Sequence, residues 1–93
     1  PKESLAFEID GESMYPYVDD GSFVITSRLD SLNQIKDGKN YIIVTEESIF
    51  YKMIYQQKDT LSLVSLNPKY APFLLSKEEV IQVWATIGRV ALG

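Results

Sequence analysis

Two residues of this sequence have the types and surroundings that acyl-transfer chemistry requires, Ser13 and Lys52. Ser13 lies in the turn-forming segment 11–16, Gly-Glu-Ser-Met-Tyr-Pro, directly after an alternating apolar run. Such a turn can hold a side chain outward while its backbone N–H groups converge on the same point. A hydroxyl beside amide donors is the arrangement of a nucleophile with an oxyanion hole. Most serines in such turns only satisfy neighbouring backbone groups, so the turn alone does not establish catalysis.

Lys52 is the second candidate residue, because strand periodicity places it between Phe50 and Ile54 on one face of a predicted strand over residues 48–55. The opposite face carries a second apolar set, Ile49, Tyr51, Met53 and Tyr55. The strand is therefore predicted to be covered on both sides. Burial disfavours a charged lysine and can lower its pKa by up to ~3–5 units. A neutral Lys52 could remove the proton of Ser13, whereas a snorkelling Lys52 would extend its ammonium into water.

The composition excludes several other chemistries. The 93 residues include no cysteine and no histidine, which excludes disulfides, thiolate nucleophiles, Cys-type zinc sites and a Ser-His-Asp triad. The formal net charge is −4 and no basic cluster is present, so DNA binding would have to come from another part of the protein. No apolar run approaches the ~20 residues of a membrane helix. We therefore predict no metal, no cofactor and no membrane partner.

Strand patterns dominate the chain and predict one mainly-β domain over residues 1–93 with a single core. The clearest strands fall at residues 4–10, 23–26, 41–45, 48–55 and 61–65. Two prolines stiffen the loop that follows the last of these strands. Near the C-terminus, Ser76 and Glu79 have the spacing of a helix capping box, whereas the alternation from Ile81 to Ile87 favours a strand. Trp84 is expected in the core or in a dimer contact.

Segment 11–16 resembles the Gly-Asp-Ser-Met-x-Pro nucleophile box of the LexA-type self-cleaving repressor peptidases, which are related to type I signal peptidases. The resemblance continues in order through Asp20-Gly21, the Asp-Gly-x-x-Tyr segment 37–41, segment 50–54, the Leu-x-Ser-x-Asn-Pro-x-Tyr segment 63–70, and segment 83–90. Glu12 replaces the usual aspartate, and Ser22 stands where the family often has aspartate. The fold that this resemblance implies is a LexA/signal-peptidase-like barrel of coiled, mostly antiparallel β-sheets.

The resemblance also implies roles for individual residues. Ser13 would be the nucleophile, Lys52 the general base, and the backbone amides of Ser13 and Met14 the oxyanion donors. The chain would be the C-terminal dimerisation and self-cleavage domain of a phage-type transcriptional repressor, a serine peptidase acting on its own chain in a bacterial cytoplasm. Because only twelve residues precede Ser13, we expect the DNA-binding domain and the cleavage segment in a longer parent chain.

The implied partners are a second copy of the chain, its own N-terminal segment as substrate, and DNA through the N-terminal domain alone. An activated recombinase filament is a further candidate partner. Two alternatives stay open. One is a catalytically silent dimerisation or sensing domain that keeps both dyad residues without using them, for which a normally titrating Lys52 would be evidence. The other is a cleaved accessory protein of mutagenic DNA repair, which the sequence of the N-terminal part would distinguish.

Overall fold

The computed structural model describes residues 3–91, and these fold mainly into β-strands. Within this range one sheet contains the strands β1 Ser4–Glu8, β2 Phe23–Arg28, β3 Lys39–Val44, β4 Ile49–Gln56, β5 Thr60–Val64, β6 Phe73–Ser76 and β7 Gln82–Val90. Their order across the sheet is β1-β2-β7-β3-β4-β5-β6, and each neighbouring pair is antiparallel. Two one-turn 3₁₀ helices, Leu32–Gln34 and Lys77–Glu79, lie in the connections. The predicted mainly-β, antiparallel fold is confirmed.

The sheet is not closed in the described part of the chain, but it curves strongly enough to bring distant strands together. Strands β2, β7 and β3 separate β1 from β4 in the sheet, yet residues of β1 and β4 line the same cavity. The ladder between β2 and β7 shifts its register between Ile25 and Thr26, and such bulges increase local twist. The coiling therefore brings together strands that the linear order keeps apart, and this proximity creates the cavity.

The interior consists of two clusters on opposite faces of the sheet rather than the single core expected from chain length. One cluster contains Ile43 and Val83, and the other contains Ile42 and Trp84. Consecutive residues of a strand point to opposite faces, so β3 and β7 each contribute to both clusters. Trp84 is 1% exposed and belongs to the core, which decides between its two predicted locations.

The C-terminal part combines the two patterns that the sequence left unresolved. Ser76 and Glu79 form a capping box: the Ser76 Oγ accepts a hydrogen bond from the Glu78 amide, and the Glu79 carboxylate accepts one from the Ser76 amide. The helix lasts a single 3₁₀ turn, and β7 follows it. The preceding strand β6 was not predicted, because the sequence Phe-Leu-Leu after Pro72 lacks an alternation of apolar and polar residues.

Candidate active site

Ser13 lies in the loop that joins β1 to β2, and backbone hydrogen bonds close the base of this loop. The Ile9 amide donates to the Ser22 carbonyl at 2.8 Å, and the Gly21 amide donates to the Ile9 carbonyl at 2.8 Å. Gly11 and Gly21 have φ values of +93° and +83°, a backbone region that side-chain-bearing residues rarely occupy. The two glycines therefore allow the reversals of the chain that hold the serine in place.

Met14 anchors the turn because its side chain is fully buried in one of the two core clusters. The Tyr15 amide donates to the Glu12 carbonyl at 3.1 Å, and the Val18 amide donates to the Met14 carbonyl at 3.1 Å. Among residues 3–91, the amides of Ser13 and Met14 donate no hydrogen bond to another protein group. An oxyanion hole needs N–H groups that have no other partner, and the amides of Ser13 and Met14 meet this condition.

Lys52 is half-buried on β4, where it pairs with Tyr41 of β3. Its Nζ donates a hydrogen bond to the Ser65 Oγ at 2.7 Å, and the centre of the Tyr70 ring lies 5.7 Å from Nζ. Burial lowers the pKa of Lys52 from its ordinary value. The apolar surroundings predicted from the strand pattern are present: Phe50 and Ile54 belong to one core cluster and Tyr51 to the other.

Ser13 and Lys52 line the same cavity, which has a volume of about 360 Å³. Its walls combine apolar and polar surface, and the apolar side chains come from β1, the Ser13 loop, β3 and β4: Phe7, Ile9, Met14, Ile42, Ile49, Phe50 and Tyr51. Two acidic residues, Glu8 and Asp10, also line it. In the described chain no hydrogen bond joins the Ser13 hydroxyl to the Lys52 amine, which is bonded to Ser65 instead. The fold thus brings both predicted residues to one cavity without direct contact between them.

The end of the predicted strand 61–65 and the stiff loop after it connect the two halves of this site. The Asn67 amide donates to the Ser13 carbonyl at 2.9 Å, and the Asn67 Nδ2 donates to the Glu12 carbonyl at 3.0 Å. Two residues earlier, Ser65 holds Lys52. The segment was identified through the family resemblance, but no role was predicted for either side chain. The available signal was a pair of polar residues, two positions apart, at the end of an apolar strand.

Two unpaired strand edges lie beside the cavity. β1 is at the end of the sheet and pairs only with β2. In β4, residues 49–52 pair with β3, while the pairing with β5 begins at Met53. Within the described residues, both edges therefore have backbone groups that an additional extended chain could bond.

A family model described as Peptidase S24-like matches residues 1–91. The chain belongs to the Peptidase S24-like family. This match confirms the resemblance to the LexA and phage-repressor C-terminal domain, and it supports a self-cleaving or repressor-type domain in general terms. No match was found among curated proteins.

Two further observations concern membrane spanning and metal binding by the S24-like domain. None of the helices within residues 3–91 has the length and apolar character needed to cross a membrane. In the same range, no three side chains of His, Cys, Asp or Glu are grouped so that they could bind a metal ion.

Proposed function

We propose that this S24-like domain is the dimerising and self-cleaving C-terminal domain of a phage-type transcriptional repressor, with Ser13 as nucleophile and Lys52 as general base. The observation that carries the proposal is their common cavity, in which burial lowers the pKa of Lys52. The two amides without protein partners, those of Ser13 and Met14, support the same reading as oxyanion donors.

The mechanism follows from the chemistry of these groups. Neutral Lys52 removes the proton of the Ser13 hydroxyl as its oxygen attacks the carbonyl carbon of the scissile peptide. The Ser13 and Met14 amides stabilise the resulting oxyanion. When the intermediate collapses, the C–N bond breaks and the Lys52 ammonium protonates the leaving amine. Water, deprotonated by Lys52, then hydrolyses the ester and regenerates Ser13.

The proposed substrate is an extended segment of the same chain, upstream of Ser13. It would add as a strand to the unpaired edges of β1 and of β4 residues 49–52, which gives backbone hydrogen bonds independent of sequence. The apolar part of the cavity wall, which includes Phe7, Ile42 and Phe50, would receive apolar or small side chains near the scissile bond. The parent chain would carry a DNA-binding domain before this segment, and cleavage would separate DNA binding from dimerisation. Loss of the second DNA contact would then release the operator.

The proposed homodimer requires an exposed surface. The end of β7 offers one, since Ile87 is 65% exposed and Val90 is 46% exposed. The edge strand β6 offers another, with Leu74 at 63% exposure. Trp84 is buried and contributes to neither. Sedimentation analysis of the domain beside Ile87→Glu and Leu74→Glu variants would show which surface forms the dimer, because a buried charge at the contact should dissociate it.

The test of self-cleavage uses the full-length protein, including its natural sequence before residue 1. The protein is incubated from about pH 7 to pH 10, and fragments are followed by mass spectrometry. Cleavage should increase with pH and should be absent in Ser13→Ala and Lys52→Ala, because alkaline conditions supply neutral Lys52. Cleavage that persists in either variant would exclude the dyad. A repeat with an activated recombinase filament would test whether that partner accelerates the reaction.

A catalytically silent dimerisation or sensing domain is the second candidate, and one observation favours it. Among the described residues, no hydrogen bond joins the Lys52 amine to the Ser13 hydroxyl. A full-length protein that dimerises but yields no fragment at any pH, with or without the filament, would establish this alternative.

A further inference from the structure

The contact between Lys52 and Ser65 has no part in the proton transfers described above. Ser65 follows β5 directly and is 9% exposed. The ladder between β4 and β5 ends at the Met53–Val64 pair, so the next position on each strand brings Lys52 and Ser65 together. Their Nζ and Oγ atoms are 2.7 Å apart, which is short for a hydrogen bond from a side-chain amine. The contact thus follows from strand register, not from chance meeting of two mobile side chains.

We propose that Ser65 is a positioning residue for the general base, which it holds inside the cavity by accepting a hydrogen bond from Lys52. A neutral amine has two N–H bonds and one lone pair in tetrahedral directions. When one N–H is fixed on the Ser65 oxygen, the lone pair is free to accept the proton of Ser13. This inference rests on the proposed function, and it adds a residue to the site.

The surroundings of Lys52 make Ser65 important for this task. Within residues 3–91, the Ser65 hydroxyl is the side-chain group that hydrogen-bonds Nζ, and no carboxylate forms an ion pair with it. The Tyr70 ring lies 5.7 Å from Nζ, and the acidic residues Glu8 and Asp10 line the same cavity as Lys52. Without the hydroxyl, the amine has no fixed hydrogen-bond partner in the protein.

A hydroxyl is also better suited than a carboxylate to positioning the Lys52 amine. A carboxylate at the same distance would hold the amine, but it would stabilise the ammonium and raise the pKa of Lys52. A neutral hydroxyl fixes the amine with a much smaller preference for the charged form. Serine therefore provides orientation while burial continues to lower the pKa of Lys52.

The test compares Ser65→Ala, Ser65→Thr and Ser65→Asp in the full-length protein by the pH dependence of self-cleavage. We expect Ser65→Ala to lower the rate at high pH by about 10- to 100-fold, the size of effect that misplacing a catalytic group produces. The midpoint of its profile should move to lower pH, because an acceptor for the ammonium is lost. Ser65→Thr keeps the hydroxyl and should recover most of the rate, whereas Ser65→Asp should move the midpoint to higher pH.

A second measurement separates failure of this inference from failure of the proposed function. The pKa of Lys52 is followed by NMR at its ¹³Cε in full-length Ser13→Ala protein, with and without Ser65→Ala. An unchanged titration, or an unchanged cleavage profile in Ser65→Ala beside active unaltered protein, overturns the role of Ser65. Equal losses in Ser65→Ala and Ser65→Thr that match a loss of folded protein also overturn it. If the unaltered protein never cleaves itself, the proposed function is wrong, and the titration alone decides whether Ser65 holds the amine.

Discussion

The two halves of the site are built in different ways. Ser13 lies in a loop whose shape depends on backbone hydrogen bonds and on glycines with positive φ. Lys52 lies on a strand with core clusters on both of its faces, and its chemistry depends on burial. The shape of the Ser13 loop thus depends on its backbone together with the buried Met14 side chain and the contacts of Asn67, whereas the pKa of Lys52 depends on its burial in the packed structure.

This difference has a measurable consequence. Changes around Ser13 should lower the rate of cleavage without moving its pH midpoint, because they misplace a group that does not titrate in this range. Changes around Lys52 should move the midpoint, because they alter the solvation or the partners of the titrating amine. Segment 65–67 contacts both halves, so neighbouring substitutions within it should give different kinds of profile.

The largest effect is expected for Lys52→Arg. An arginine keeps a positive charge but cannot be deprotonated in a protein, so it cannot act as a base. Removal of a general base typically lowers a rate by about 10²- to 10⁴-fold. Self-cleavage of the full-length protein at pH 9, followed by fragment mass, measures the loss. Lys39→Arg on the neighbouring strand is the matched control and should cleave normally. A Lys52→Arg protein with more than about a tenth of the normal rate would contradict the role of this lysine.

The next effect concerns Asn67, which fastens the Ser13 turn. Asn67→Ala removes two side-chain hydrogen bonds, one donated to the Glu12 carbonyl and one accepted from the Lys69 amide, but leaves the backbone bond to the Ser13 carbonyl. We expect about a 10-fold lower rate at high pH with an unchanged midpoint, and a loss of about 1 kcal/mol in unfolding free energy. Cleavage profiles and urea unfolding measure the two effects. Lys69→Ala, an exposed change in the same loop, is the control. A shifted pH midpoint of cleavage in Asn67→Ala would contradict the expected difference between the Ser13 and Lys52 halves of the site.

Much of the fold could be predicted from the sequence because most strands alternate or form short apolar runs between turn signals. The prediction failed at β6, where Phe73–Ser76 follows a proline and lacks alternation. It also failed for the interior, since a coiled sheet divides the core between its faces. The two failures have different causes: β6 lacks the local pattern of a strand, whereas no local pattern reports how strands far apart in sequence are arranged around the core.

The site shows the same limit. Ser13 and Lys52 could be selected from local features, a glycine-to-proline turn and a lysine between apolar neighbours. The roles of Ser65 and Asn67 could not, because they depend on the register of β4 with β5 and on the path of the following loop. Similarly, the cavity depends on the approach of β1 to β4, which no local pattern encodes.

A smaller effect is expected when the backbone of the loop that carries Ser13 is strained. Gly11 has a φ of +93° and open space around the position of a Cβ, so Gly11→Ala would add conformational strain without a steric clash. Left-handed backbone costs a residue with a side chain about 1–2 kcal/mol. In a domain of this size, each kcal/mol of destabilisation lowers the melting temperature by roughly 4–8 °C. Gly88→Ala in β7 is the matched control, since its nearest contact to a Cβ is an ordinary 3.9 Å. Equal melting temperatures for both variants would show that the loop conformation does not depend on Gly11.

The smallest effect is expected for Tyr70, whose ring covers the Lys52 amine at 5.7 Å. Two contributions compete when Tyr70→Ala removes the ring. Loss of the cation–π contact would lower the pKa of Lys52, but at this distance and exposure it is worth only about 0.5 kcal/mol. Greater access of water would raise the pKa toward its ordinary value, because burial is the cause of its depression. We expect the second contribution to prevail, so the cleavage midpoint should move to higher pH by a fraction of a unit and the rate near neutral pH should fall.

Tyr70→Phe keeps the ring and should leave the midpoint unchanged. A shift to lower pH in Tyr70→Ala would mean that the ring acts on Lys52 through its π face rather than by excluding water.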